Sequence, residues 1–304
     1  MSDQNAWRYC QKCHSMFYDG NADKGVCKAG GGHSAQGFMF YLPWNIPNAH
    51  PNVTQDQWRY CGKCHAMFYD GYTPKGVCPA GAGHEASGWV FVLPHDVGAS
   101  ANMQDQWRFC DKCHAMFYDG YTPKGVCPAG GEHHAQGYMF DLPHDIPDSL
   151  HFDANSIVLN GVPVGGNAHL AMQRGGTYTF SGHFHDSGWP SYDTNCAVGV
   201  KDAIGNAFVF PVHSGQTHGT DESGSRDDNW SVSGGDKRIS DYWATIAGKP
   251  TTSFRSAVNL NVAGLFNGVV DALGQVLKVI TVGDGGDGGG GGGGGGGDDE
   301  GGGA

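Results

Sequence analysis

Charge is scarce in this chain. Only 16% of its 304 residues are Asp, Glu, Lys or Arg, and 18 basic side chains face 30 acidic ones, a formal net charge of −12. A field of that sign repels phosphates, so no nucleic acid is expected as a partner. Long apolar runs are also missing. The opening stretch MSDQNAWRYC has no charged n-region followed by an apolar run, so no classical signal peptide is read. That leaves the cytoplasm, where free thiolates survive, or a non-classical route of export. Glycine, by contrast, is abundant at 52 residues, which together with the low charge favours loop-rich β structure over helical bundles. The length suggests an array plus one further domain.

The ten cysteines are unevenly placed. Nine lie in three copies of one stretch, running Trp7 to Pro43, Trp58 to Pro94 and Trp107 to Pro143, and Cys196 stands alone. The tryptophans that open the copies are 51 and 49 residues apart, the period of a tandem array of supersecondary units. Each copy reads Cys-x2-Cys-x13-Cys-x5-His: Cys10, Cys13, Cys27 and His33; Cys61, Cys64, Cys78 and His84; Cys110, Cys113, Cys127 and His133. Two thiolates two residues apart can grip one ion from a tight turn, and a second pair completes the tetrahedron that Zn²⁺ prefers. The expectation is three structural Zn²⁺ ions. Disulfides would leave one cysteine per copy unpaired and give the histidine no reason to keep its place. A third alternative is Cys-x2-Cys-His, the attachment motif of c-type haem, at Cys10 to His14, Cys61 to His65 and Cys110 to His114. It requires export and leaves the third cysteine unexplained.

Around these ligands, short aromatic arms enter and leave the first knuckle, and Gly-(Phe/Trp/Tyr)-x-Phe-x-Leu-Pro alternates as a half-buried strand does. Two knuckles on short strands describe a zinc ribbon. Aromatics such as Trp58, Phe68, Tyr69 and Phe91 are expected in small cores. Such a unit buries too little apolar surface to stand alone, and a structural Zn²⁺ supplies about 10–16 kcal/mol. A linear or loosely packed array is expected over a closed pseudo-threefold trefoil, since each metal site can organise its own unit. Trp-x-x-Cys-x-x-Cys, Met-Phe-Tyr and Gly-Val-Cys-Pro-Ala-Gly with its spaced His resemble a repeat of bacterial exoproteins, over about residues 7–143. In that family the residue after the second cysteine is often glutamine, which counts against haem. The first copy departs at Lys28, where the others have Pro79 and Pro128, and at Trp44-Asn45, where they have His95-Asp96 and His144-Asp145. The resemblance implies metal-stabilised repeats and no reaction.

Beyond Asp153 the composition changes. Strand-like runs cover Ser156 to Leu159, Thr177 to Phe184, Cys196 to Val200, Ala207 to Val212, Asn229 to Val232 and Tyr242 to Ile246, separated by turn residues such as Asn160-Gly161. Short strands at this spacing suggest an antiparallel sandwich or jelly roll, with Cys196 as a small buried hydrophobe. His183 and His185 lie two apart on a strand, hence on one side; with His218, and near Asp186 and His213, they form a candidate second metal site. The two histidine stretches resemble those of a cupin, without its glutamate or its Pro-x-Gly order. The segment Gly224 to Trp230 offers carboxylates for Ca²⁺, Arg226 and Trp230 for a sugar, or a self-bonded turn. From Ala257 to Val282, apolar residues recur at helical spacing. Such a helix would dock on the sandwich or self-associate, with membrane contact as the alternative. The Gly/Asp run from Gly283 reads as a disordered acidic tail.

The reading is therefore an all-β protein. Three tandem zinc-ribbon-like repeats (1–49, 50–98, 99–148) precede an antiparallel β-sandwich or jelly roll (149–254), an amphipathic helix (255–282) and a disordered tail (283–304). Its expected role is non-enzymatic binding of a glycan or a protein surface. The alternatives are a metal-dependent enzyme in the sandwich, a membrane-active effector and a multihaem carrier.

Overall fold

The structure, a computed structural model, describes residues 2–46, 50–260 and 262–283. The tail expected at 283–304 lies, after Gly283, outside the described residues. The chain is mostly β and falls into two halves.

In the first half each copy forms a small three-stranded sheet. Copy one has β1 (Asp3–Cys10) between β2 (Met16–Tyr18) and β3 (Ala35–Pro43). Copy two has β4 (Thr54–Cys61), β5 (Met67–Tyr69) and β6 (Ala86–Pro94). Copy three has β7 (Met103–Cys110), β8 (Met116–Tyr118) and β9 (Ala135–Pro143). The register repeats, Trp7 opposite Phe40, Trp58 opposite Phe91 and Trp107 opposite Phe140. Sheets this small cannot cover their own apolar faces. They cover one another instead, and the copies close into a pseudo-threefold ring rather than the linear array expected from sequence. Trp7 meets Phe91 edge-on at 5.2 Å, Trp58 meets Phe140 at 5.0 Å, and Trp107 returns to Phe40 at 5.1 Å. The three tryptophans and three phenylalanines share one core, essentially without exposure. Backbone bonds follow the same circuit: Tyr18 N donates to His65 O, Tyr69 N to His114 O, and Tyr118 N to His14 O, each at 3.0 Å.

The second half contains two larger sheets. One runs β10 (Ser149–Val158), β11 (Val164–Gln173), β12 (Thr177–Asp186), β16 (Asp227–Gly235). The other is built on β13 (Tyr192–Lys201), which pairs with β14 (Asn206–Val209), β15 (His213–Thr217) and β17 (Thr251–Val258). Leu170, Phe180 and Phe184 from the first sheet and Cys196, Val198 and Phe208 from the second lie in one apolar core. Cys196 is fully buried, and burial pushes its thiol up to about 11. The last strand, β18 (Lys278–Thr281), runs parallel to β14, so this half is not wholly antiparallel.

Two further sequence expectations change here. Tyr242 to Ile246, read as a strand, lies across α1 (Lys237–Asp241) and α2 (Trp243–Gly248). Asp236 caps α1 by accepting from Arg238 N, and every residue of α2 is buried, so no alternation distinguished helix from strand. The expected helix over 255–282 is only α3 (Val262–Ala272): residues up to Val258 belong to β17, Gly274 takes a positive φ just after the helix, and β18 follows. Its Leu265 and Val269 pack with Ala197, Ala207 and Leu273, so it docks on the second sheet. No helix among the described residues is long and apolar enough to cross a membrane.

The halves meet at the ring end that carries Asp3 and Pro43. Ile46, Val92 and Ile146 join the second half's core, Arg174 pairs with Asp3, and Trp243 Nε1 donates to Pro147 O at 2.9 Å. Cys10 pairs with Ala35 at the opposite end of the same two strands, so the cysteine groups lie away from the junction.

Candidate metal centres

Each first knuckle sits where β1, β4 or β7 ends and turns back. The residue after its second cysteine adopts a left-handed conformation, with φ of 66° at His14, 67° at His65 and 65° at His114. Those imidazoles do not join the metal-capable groups. They lie in the aromatic seam, His14 at 5.4 Å from the Tyr9 ring and His114 at 5.3 Å from Phe109. The second knuckle closes by a Cys27 N to Gly31 O bond of 2.8 Å.

The three groups predicted from spacing are brought together: Cys10, Cys13, Cys27 and His33; Cys61, Cys64, Cys78 and His84; Cys110, Cys113, Cys127 and His133, all buried, with the ligand atoms of each group within 4.8 Å of one another. Each could hold a metal ion. No disulfide joins the cysteines. Cys10 Sγ stands 3.9 Å from Cys27 Sγ, and Cys13 Sγ 3.5 Å from His33 Nδ1, with 4.0 and 3.5 Å in the second group and 3.9 and 3.5 Å in the third. The crowded sulfurs share protons unequally. Hydrogen bonds from Cys13 and Cys27 hold Cys10 well below the usual thiol range, and the same sharing pushes Cys13 well above it. Burial pushes His33 down, but its bonds to Cys10 and Cys27 outweigh that and raise it to about 9, as happens at His84 and His133.

The surroundings orient each ligand set. His33 Nε2 donates to Cys64 O, His84 Nε2 to Cys113 O, and His133 Nε2 to Cys13 O, each at 3.1 Å. The bond fixes the tautomer that leaves Nδ1 facing the thiols, the usual task of a partner beyond the ligands. It also crosses to the next copy every time, and the third returns to the first. Gly76 makes this approach possible: a Cβ there would stand 2.2 Å from Cys113 O, and φ is +67°. The lysine between the paired cysteines bonds the second knuckle, Lys12 to Gly30 O at 2.6 Å and Lys63 to Gly81 O at 2.8 Å. That lysine is present in every copy, a signal the spacing argument passed over. The histidine-to-carbonyl bonds had no such signal, because their acceptor is backbone.

The histidines of the second half are not gathered into a comparable group. His183 Nε2 and His185 Nδ1 both face Asp227 Oδ1, at 3.0 and 2.8 Å. His218 is elsewhere, 3.6 Å from Glu222. Asp186 accepts from Gly188 N in a turn, while His213 stacks on Trp230 at 4.1 Å and bonds Asp228 at 2.8 Å. The only metal-capable groups among the described residues are the three of the first half. Arg226 donates to Asp186 O, and the Asp227–Trp230 part of that segment belongs to strand β16 with Trp230 buried, so it is neither a turn nor an open sugar platform.

No family profile, curated protein or solved structure matches this chain. The resemblance to exoprotein repeats therefore gains no support from relatives, and the three Cys3His groups stand on their own geometry.

Proposed function

We propose that this is a non-enzymatic binding protein, built on three structural Zn²⁺ sites in ribbon-like repeats and recognising a glycan or a protein surface, with a β-sandwich as its second half. The observation that carries the reading is closure. Every group supplies four buried protein ligands, whereas a catalytic zinc keeps one position open. Tetrahedral bonds of about 2.3 Å to sulfur and 2.0–2.1 Å to nitrogen imply edges of about 3.8 Å between sulfurs and about 3.6 Å from sulfur to nitrogen. The separations of 3.9 and 3.5 Å match that size. Cys10, Cys13, Cys27 and His33, with their counterparts, would hold the ions, and each ion would supply folding free energy rather than reactivity.

The test is metal analysis with an absorption spectrum on the purified protein, followed by chelation. Three zinc per chain, no visible band, and loss of the near-ultraviolet aromatic signal on zinc removal are expected. Copies that keep their fold without metal would overturn the structural assignment, and iron with a Soret band would replace it with haem.

A further inference from the structure

Between the third copy and the first runs a groove of about 260 Å³. Tyr118 and Tyr121 line it from one side and Gln36 and Phe38 from the other, over a floor formed by the buried Trp107 and Tyr9. Its lining contains no charged residue. Tyr121 is 54% exposed and Phe38 41% exposed. Tyr121 packs against Tyr9 with ring centroids 5.9 Å apart, and Phe38 rests one face on His144 at 3.7 Å. Among the described residues, no hydrogen bond engages the hydroxyls of Tyr9, Tyr118 and Tyr121 or the carboxamide of Gln36. Gln104, also in the lining, accepts from Trp107 Nε1 at 3.0 Å through its carbonyl oxygen, which leaves its NH₂ group to donate.

Ring faces alternating with uncharged donors and acceptors suit a ligand that is apolar on its faces and hydroxylated around its edge. The volume falls just below the roughly 300–1,000 Å³ of pockets for drug-sized ligands, enough for one ring. The threefold repeat tests the assignment internally. Between copies two and three the counterparts are Trp58, Tyr69, Tyr72, Phe109, Gln136 and Tyr138, and Tyr72, 52% exposed, packs on Phe109 at 5.8 Å. Between copies one and two the position of Tyr72 and Tyr121 is Asn21, whose amide donates to Tyr60 OH at 3.2 Å. That seam lacks the tyrosine, keeps Trp89 stacked on Trp44 at 3.8 Å and engages its own Tyr60 hydroxyl.

We infer that the Tyr121 groove and, by equivalence of the repeats, the Tyr72 seam are two binding subsites for single pyranose rings of a neutral glycan, and that the Asn21 seam is a non-binding third. This rests on the binding-protein reading and narrows its target. An aromatic cage can also hold a quaternary ammonium ion, but the interleaved hydroxyls and carboxamides favour a polyol.

The experiment titrates the zinc-loaded full-length protein with maltotetraose, cellotetraose, β-1,4-galactotetraose and fully N-acetylated chitotetraose, and separately with tetramethylammonium chloride. Binding of at least one tetraose at two sites per chain is expected. Tyr72→Ala combined with Tyr121→Ala should weaken it at least about tenfold, the loss of one good aromatic contact per site, while Asn21→Ala leaves it unchanged. Both tyrosines are more than half exposed, and unchanged zinc content and near-ultraviolet signal verify that the double variant is folded. Binding that survives the double variant overturns the grooves but leaves a glycan-binding protein. Failure of all four tetraoses overturns the proposal while leaving the structural zinc assignment to its own test. Tetramethylammonium binding lost in the double variant, without tetraose binding, overturns the ligand class.

Discussion

The two halves of the molecule order similar lengths of chain by different means. The second half does it by area: wide sheets of four and five strands share one apolar core. The first half has strands of three to nine residues in sheets of three, and it combines a Cys3His group in every copy with a core that no copy completes alone. Burial rewards length, because a longer strand adds side chains to the same core. Coordination rewards position, because four atoms must converge whatever lies between them. Hence the loops between ligands in the first half can be glycine-rich and polar, while the second half holds its cysteine simply as a small apolar side chain.

The sharpest way to separate the halves is to damage one core at a time. Phe180→Ala, fully buried in the second half, should cost about 3–5 kcal/mol in denaturant unfolding followed by hydrogen exchange in β11 and β12, with the metal content of the first half unchanged. A fall in metal content would mean that the junction through Ile46, Val92 and Ile146 makes the halves one cooperative unit. A smaller loss, about 2 kcal/mol, is expected from Gly76→Ala, where both the close carbonyl and the positive φ oppose a side chain. Gly175→Ala in the second half, with open space and no positive φ, should change stability by less than about 0.5 kcal/mol. Equal losses at the two glycines would mean that the inter-copy approach is slack.

The halves should also differ in their response to pH. Without metal, His33, His84 and His133 keep their protons up to about pH 9, so an ion binding at neutral pH must displace them. Their raised values favour the protonated, metal-free form as pH falls. Metal affinity should therefore weaken by about tenfold per site for each pH unit below 9 from this proton alone, measured by competition with a chromophoric chelator. Titration in buffers of different ionisation enthalpy should show the released protons, and a pH-independent affinity would contradict the assignment of these nitrogens as ligands. In the second half, His183 and His185 on the exposed Asp227 should leave metal content unaffected over the same range.

The ligand sets were legible because coordination is written in residue types at fixed spacing, and nothing between Cys10 and His33 has to be known to see it. The closure of the copies was not legible. It depends on where Trp7 finds its cover, and Phe91 is a partner that no local pattern identifies. Strand β11 was missed although Ala168, Leu170 and Met172 alternate inward, because Gly165-Gly166 and the small Ala168 and Ala171 dilute the signal. The aromatic expectation divided by position: Trp58, Phe68 and Phe91 are core and Tyr69 is half-buried, while Tyr72 and Tyr121, never singled out, are among the exposed rings.

The circuit of histidine-to-carbonyl bonds has a consequence for what this architecture can become. A solenoid can gain or lose a unit and needs only special end pieces to stay soluble. Here each copy gives one bond to its successor and receives one from its predecessor, and the third gives to the first, so no unit is terminal and none needs capping. Duplication cannot lengthen such a circle by one without opening every joint. Cutting the polypeptide in one linker and rejoining it elsewhere, however, would leave all three joints intact. The point at which the chain enters the circle is therefore free, while the succession of the copies around it is not.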